Sequence, residues 1–320
     1  MKNFWQKLNK PFFCLAPMAD VTDCAFRTII AKYGKPDVFW TEFVSADGLA
    51  HPDAREKLII DLRYSKKEHP IVAQIFGARP ENIKNASKLC RELGFDGIDI
   101  NMGCPDRSIE KQGAGACMIK SPDIAKKIIQ SAKEGAGDLP VSVKTRIGYN
   151  KYDPEWIKFL LEQDIQALTI HLRTRKEMSL VPAHWEYMKE LVEIKNKLGV
   201  DTVIIGNGDV EDLEDGRKKI AESGADGVMI GRGIFGNPWL FGERKNIGVE
   251  EKLKVMLEHT KLFEKMLGEH KNFSIMKKHY KAYVNGFEGA KELRMELMEG
   301  GDYKDIEKVV KVFLKKIPKL

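Results

Sequence analysis

Eight short apolar runs of strand length, separated by segments of helix length, occupy residues 12 to about 242 and constrain this chain more than any other feature. They are FFCLAPM (12–18), VFWTEFV (38–44), IVAQIFG (71–77), GIDINMG (97–103), VSVKTRIG (141–148), ALTIHLR (167–173), TVIIGNG (202–208) and GVMIGRG (227–233). Strands alternating with helices imply a parallel sheet, and continuous apolar runs imply strands covered on both faces. The intervening stretches carry helical periodicity. In 81–94, Ile83, Ala86, Leu89, Cys90 and Leu93 share one face, and Pro154 suits the first position of a helix in 153–164. Eight such units in about 240 residues predict an α/β fold, a closed (β/α)8 TIM barrel.

After Trp239 the strand signal stops. Helices are predicted at 250–267, 273–284, 290–298 and 303–315, broken by Gly268, Gly286, Gly289 and Gly300-Gly301. The expected organisation is a catalytic barrel over 1–242 followed by a small all-helical domain over 243–320. The net charge of +6 is unevenly spread, because 243–320 holds 18 Lys and Arg against 13 Asp and Glu, which is +5 of the total. A basic helical segment reads either as a solvated surface or as a surface that meets a polyanion.

With 43% hydrophobic and 31% charged residues over 320 positions, the composition excludes disorder and a membrane-embedded protein. No run approaches the ~18 apolar residues of a spanning helix. Lys2, Lys7 and Lys10 ahead of the apolar run 12–18 imitate a secretory leader, but the run reads better as a first buried strand followed by a helix start near Thr22. Five cysteines without a C-x-x-C pair are no disulfide framework, so a reducing, cytoplasmic location is expected.

In a barrel of this kind the chemistry sits at the C-terminal strand ends. Nearly every run supplies a polar group there: Pro17-Met18 after the first, Glu42 in the second, Gln74, Asn101 with Cys104, Lys144 with Arg146, His171 with Arg173, Asn207 to Asp209, and Gly231-Arg232. The last two loops are glycine-punctuated and precede helices, which suits a phosphate held on backbone N–H groups beside Arg232. Gly231, Gly233 and Gly236 also spell G-x-G-x-x-G, a weak signal here because no βαβ unit follows. Lys144 fits a Schiff-base former, a phosphate ligand or a stabiliser of anionic charge on a cofactor ring. Gln74 and Asn101 suit the edge of a heterocycle. His171 stands alone among metal ligands, so no metal is expected. Cys14, Cys24, Cys90 and Cys117 read as buried, inert thiols, whereas Cys104 lies on a rim loop as a nucleophile or proton donor.

The chain resembles the tRNA-dihydrouridine synthases, flavin enzymes that reduce uridine in transfer RNA. The matching residues are Ala16-Pro17-Met18-Ala19 with Thr22-Asp23 and Phe26-Arg27, Gln74-Ile75-Phe76-Gly77, Asp99-Ile100-Asn101-Met102-Gly103-Cys104-Pro105 and Gly113-Ala114-Gly115. They continue with Val143-Lys144-Thr145-Arg146, His171-Leu172-Arg173-Thr174-Arg175, Gly206-Asn207-Gly208-Asp209 and Gly231-Arg232-Gly233 through Trp239, in order along the whole barrel. In the tail, Lys277-Lys278-His279-Tyr280 and Leu293-Arg294 also match.

The resemblance implies FMN held by Pro17, Met18, Ala19, Gln74, Lys144, His171, Asn207, Gly208, Asp209, Gly231 and Arg232, and Cys104 as proton donor to uracil C5. It implies NADPH or NADH as reductant and tRNA as substrate and partner, with no membrane and no obligate protein partner. Asn101, Arg173 and Arg175 on the barrel, and Lys277, Lys278 and Arg294 in the tail, are the expected RNA contacts, with Arg107, Lys111 and Lys281 as further candidates. Two positions depart from the family pattern: Leu172 stands where glycine is more common, and Ser108 where a basic residue is. Two alternatives stay open. One is an FMN-dependent reductase of a free pyrimidine or enone, similar to dihydroorotate dehydrogenases; the other is an RNA-binding protein with a vestigial redox site.

Overall fold

A computed structural model describes residues 3–242, 244 and 246–316. The strands are β1 (Phe12–Leu15), β2 (Phe39–Trp40), β3 (Val44–Ser45), β4 (Ile71–Phe76), β5 (Gly97–Met102), β6 (Val141–Arg146), β7 (Ala167–His171), β8 (Val203–Asn207) and β9 (Gly227–Ile230). All pair in parallel, in the order β1-β9-β8-β7-β6-β5-β4-β2, with β3 also on β4. The ring closes where Cys14 bridges Val38, with the Asp37 N–H donating to the Phe13 carbonyl at 2.9 Å. The result is the expected barrel. The second strand position is divided at 41–43, where Thr41 Oγ1 accepts the Gln74 N–H at 3.0 Å and Glu42 accepts the Asp20 N–H at 2.6 Å.

Side chains alternate along each strand, so parity decides what fills the barrel. Low in the barrel the inward set is apolar: Phe12, Cys14, Trp40, Val72, Ala167, Val203 and Ile205 are buried together, and Trp5 closes that end with its ring 5.6 Å from Trp40. Higher up the same parity delivers polar groups. The register pairs Gln74 with Asp99 and Asp99 with Ser142, Asn101 with Lys144, and His171 with both Arg146 and Asn207. A ring of polar side chains at one end of an apolar barrel follows from this register.

The tail forms helices Val249–Leu267, Met276–Tyr283, Ala290–Glu299 and Tyr303–Lys316, close to the predicted bounds. They pack on the first barrel helix, Cys24–Tyr33, whose Phe26 ring stacks on His259 at 4.8 Å and meets His279 at 4.7 Å. Both imidazoles are buried, and burial holds them neutral, His279 near 3. Glu258 accepts from Lys32 at 2.7 Å and from the Tyr33 hydroxyl at 2.6 Å across the same seam. No helix of the described residues is long and apolar enough to cross a membrane.

Candidate active site

The polar strand ends open into one cleft. Its walls bring together Pro17, Met18, Gln74, Asn101, Cys104, Lys144, His171, Arg173, Asn207, Gly208, Asp209, Gly231 and Arg232 from the expected set. Phe43, Arg146, Ser179, Val210 and Met229 join them. Ala19 lies exposed just outside. A turn fixes the β1 end of the cleft: the Met18 N–H donates to Thr22 Oγ1 at 2.9 Å, and that hydroxyl donates back to the Met18 carbonyl at 3.2 Å.

On the floor lies a chain of amides over a carboxyl. Gln74 Nε2 donates to Asp99 at 2.6 Å, and Asn101 Nδ2 donates to Gln74 Oε1 at 3.0 Å. Burial pushes the Asp99 carboxyl up to about 6, against hydrogen bonds from Ser142 and Gln74. Asn101 Oδ1 in turn accepts the N–H groups of Gly103 at 3.1 Å and Cys104 at 2.9 Å. The loop that carries the thiol is therefore built on the same network that presents Gln74. The Cys104 thiol is half-buried, and burial holds it above its ordinary pKa, so at neutral pH it keeps its proton. Cys14, Cys24 and Cys90 are buried as expected; Cys117 is only half-buried, because it sits on the short turn 115–120 with its thiol 3.2 Å from the Ala114 carbonyl.

Lys144 rises from β6 and donates to Asn207 Oδ1 at 3.2 Å. Burial, then Arg146, lowers its ammonium to about 8, so it remains largely charged at neutral pH. His171 is neutral, held far below its usual value by burial and the surrounding cations Arg146, Lys144, Arg173 and Arg232. Asp209, at a φ of +47°, accepts from Arg173, from Arg232 at 2.6 Å and from the Ala183 N–H at 2.9 Å. Partial burial opposes its charge, and these donors outweigh it, leaving the carboxyl below its usual range. Gly208 beside it has φ +122°, and a Cβ there would come within 2.9 Å of Ala183 and 3.1 Å of the His171 ring. Only glycine fits that turn.

The cleft is lined by four cationic side chains, Lys144, Arg146, Arg173 and Arg232, against one carboxylate, Asp209. This donor set fits a planar heteroaromatic group carrying an anion, with the amides of Gln74 and Asn101 on its edge and Arg232 at the glycine-rich end. Among the described residues no group of three or more His, Cys, Asp or Glu is placed to hold a metal.

The remaining expected contacts lie outside the cleft. Arg175 donates Nε to both oxygens of Glu110 at 3.0 and 2.9 Å and covers the Tyr149 ring at 5.5 Å. Lys278 and Lys281 are exposed and Lys277 half-buried on the helix Met276–Tyr283, while Arg294 donates to the Val284 carbonyl at 2.6 Å. Arg107 and Lys111 are exposed. The Leu172 side chain is buried in the core and does not line the cleft. Ser108 belongs to the start of a short helix, where its N–H donates to Asp106 at 2.8 Å.

Arg146 has a role that its sequence position does not disclose. Its guanidinium donates to the carbonyls of Gly103 at 2.7 Å, Thr174 at 3.1 Å and Met178 at 2.9 Å, tying the Cys104 loop to the loop after β7.

A family model described as Dihydrouridine synthase (Dus) matches residues 14–318. A protein of Staphylococcus aureus strain Mu50 named "Probable tRNA-dihydrouridine synthase" is 44% identical over 301 residues, covering 93% of this chain and 91% of that one. "Probable tRNA-dihydrouridine synthase 2" of Bacillus subtilis strain 168 is likewise 44% identical, over 93% of this chain and 92% of that one. Among solved structures, the 6-hydroxypseudooxynicotine amine oxidase of Pseudomonas geniculata N1 superposes with a TM-score of 0.56 at 13% identity, covering 81% of this chain and 53% of that one. That likeness is one of fold.

Proposed function

Because the chain belongs to the dihydrouridine synthase family, we propose that it is a tRNA-dihydrouridine synthase, which reduces the C5=C6 bond of specific uridines in tRNA with FMN and NADPH. The observation that carries this reading is the meeting of the Cys104 thiol and the Lys144 ammonium in one cationic cleft, above the paired amides of Gln74 and Asn101. Pro17, Met18, Gln74, Lys144, His171, Asn207, Gly208, Gly231 and Arg232 would hold FMN, with Ala19 at the margin and Asp209 orienting Arg173 and Arg232. Bound FMN, reduced by NADPH, supplies the hydrogen and electron pair that add to uracil C6.

The chain's own residues do the rest. Conjugation of the C5=C6 bond with the C4 carbonyl places negative charge on C5 as C6 is reduced, and the Cys104 thiol delivers the proton that C5 requires. Holding the thiol protonated, through burial, suits a donor and not a nucleophile. Lys144 would balance negative charge on a bound flavin ring, a role for which its depressed value near 8 is still adequate at neutral pH. Asn101 fixes the backbone of Cys104 and holds the Gln74 amide, which would meet the edge of a bound ring.

A uridine in folded RNA must leave its stack to enter this cleft, so the enzyme also needs a grip on phosphates. In this reading residues 1–242 are the catalytic barrel and 243–320 the tRNA-binding domain, with Lys277, Lys278 and Lys281 as phosphate contacts. Arg173, Arg175 and Arg294 would act mainly by shaping the surfaces that RNA meets, since each donates to a protein acceptor. The expected location is the cytoplasm, where tRNA is. Mass analysis of tRNA nucleosides from a strain lacking this protein tests the reading. Loss of dihydrouridine at one or more positions supports it; an unchanged dihydrouridine content overturns it.

A further inference from the structure

The loop after β7 displays Leu180 in an unusual way. At 86% exposure it is the most exposed large apolar side chain among the described residues, with Met178 beside it at 40%. A single exposed leucine on a mobile loop would need no explanation. This one stands on a backbone braced from both sides by buried guanidiniums: Arg146 donates to the Met178 carbonyl at 2.9 Å, and Arg173 Nε donates to the Val181 carbonyl at 2.5 Å. The Leu180 N–H closes a turn onto the Glu177 carbonyl at 2.9 Å, and Met178 holds a left-handed φ of +57°. The intervening Ser179 lines the cleft. The same Arg146 guanidinium that fixes Met178 also holds the Gly103 carbonyl at 2.7 Å, so the leucine is presented one loop away from Cys104.

We infer that Leu180 is a wedge that fills the stack vacated by the target uridine, packing on the neighbouring base of the RNA while the uridine occupies the cleft. The inference rests on the proposed action on tRNA. Its logic is that of base-flipping proteins, in which an apolar side chain inserted at a base step offsets the cost of unstacking. A wedge must be exposed before binding, apolar, close to the pocket and held by a backbone that does not yield, and Leu180 meets each condition through residues that also form the pocket wall. The partner face it fits is a nucleobase, whose π-surface is apolar and sequence-tolerant.

The test uses the full-length, flavin-loaded enzyme and tRNA lacking dihydrouridine, comparing the parent with Leu180→Ala and Leu180→Phe. Two rates are measured: bleaching of the flavin by NADPH, and single-turnover formation of dihydrouridine by the pre-reduced enzyme. Leu180→Ala is expected to slow dihydrouridine formation about tenfold, the size of one lost base-stacking contact. Flavin bleaching should be unchanged, and Leu180→Phe should restore most of the loss. Equal dihydrouridine formation by the parent and Leu180→Ala overturns the wedge alone. So does a parallel loss in flavin bleaching, which would place the leucine against the dinucleotide. A parent that bleaches but forms no dihydrouridine overturns the functional reading, and the wedge with it.

Discussion

Lys271, from the turn after the first tail helix, places its ammonium 2.9 Å from Glu42 in the barrel and 2.8 Å from Asp61. Glu42 is almost wholly buried, and burial raises its carboxyl to about 7 against the pull of Lys271. Its other oxygen accepts the Asp20 N–H at 2.6 Å, next to the Pro17–Ala19 segment at the cleft. The tail is thus joined electrostatically to the loop that borders the site.

Lys271→Met leaves that carboxyl buried without its cation, and a cost of about 3 kcal/mol is expected, as for other broken buried pairs. The deficit relative to the parent should grow as pH rises above about 7, because the parent's Glu42 ionises there against a cation and the variant's must ionise without one. Denaturant unfolding at pH 6 and pH 9 checks both the size and the sign. The double variant Glu42→Gln/Lys271→Met should recover much of the loss.

Cys104→Ala should retain bound flavin and its reduction by NADPH, yet lose dihydrouridine formation by about 10²–10⁴-fold, the usual worth of a positioned general acid. Since burial lifts the thiol above its ordinary value, activity limited by this donor should be level through neutral pH and fall only as alkaline pH removes the proton. Alkylation by iodoacetamide should be slow at pH 7 and accelerate over the same alkaline range.

Burial, with Arg146 beside it, lowers the Lys144 ammonium to about 8. Below that value it already carries its charge; above it, Lys144 must take up a proton before it can balance the charge that reduction places on the ring. Bleaching of the bound flavin by NADPH should therefore be level from pH 7 toward 8 and slow above. In Lys144→Met it should be slower at neutral pH and lose that dependence.

His184 lies 2.9 Å from Glu186 and 3.0 Å from Glu177, and Glu177 accepts the Thr174 N–H at 2.7 Å. Partial burial opposes the imidazolium, but the two carboxylates outweigh it and raise the group above its usual value. A histidine with a raised folded value stabilises fully below its unfolded value near 6.5 and loses that contribution as pH rises through the folded one. Hydrogen exchange in residues 174–184, corrected for the intrinsic pH effect, should show less protection at pH 9 than at pH 6, and His184→Gln should remove the difference.

Much of this was legible in the chain because parallel barrel strands are buried on both faces and announce themselves as unbroken apolar runs. The exception was the second strand, whose break at 41–43 depends on Gln74 and Asp20, partners far away in sequence. Strand-end residues such as Gln74, Lys144 and His171 were readable as a group for the same reason: period-two parity aims them at one end. Asp99 and Ser142, with the same parity, are not legible as site residues because they lie below the cleft, where Asp99 accepts from both Gln74 and Ser142. Charge alone could not separate a free cation from a bracing one. Arg146 and Arg294 spend guanidinium donors on backbone carbonyls, while Lys278 and Lys281 stay exposed. Leu180 and Lys271 gain their meaning wholly from the fold.

The most direct measurement of the central claim is a defined reaction of the purified, FMN-loaded protein with NADPH and tRNA that lacks dihydrouridine, followed by nucleoside mass spectrometry. A two-hydrogen increment on uridine, absent with Cys104→Ala although its flavin is still reduced, is the predicted result. A flavin that NADPH reduces while every uridine of the tRNA keeps its mass would contradict it.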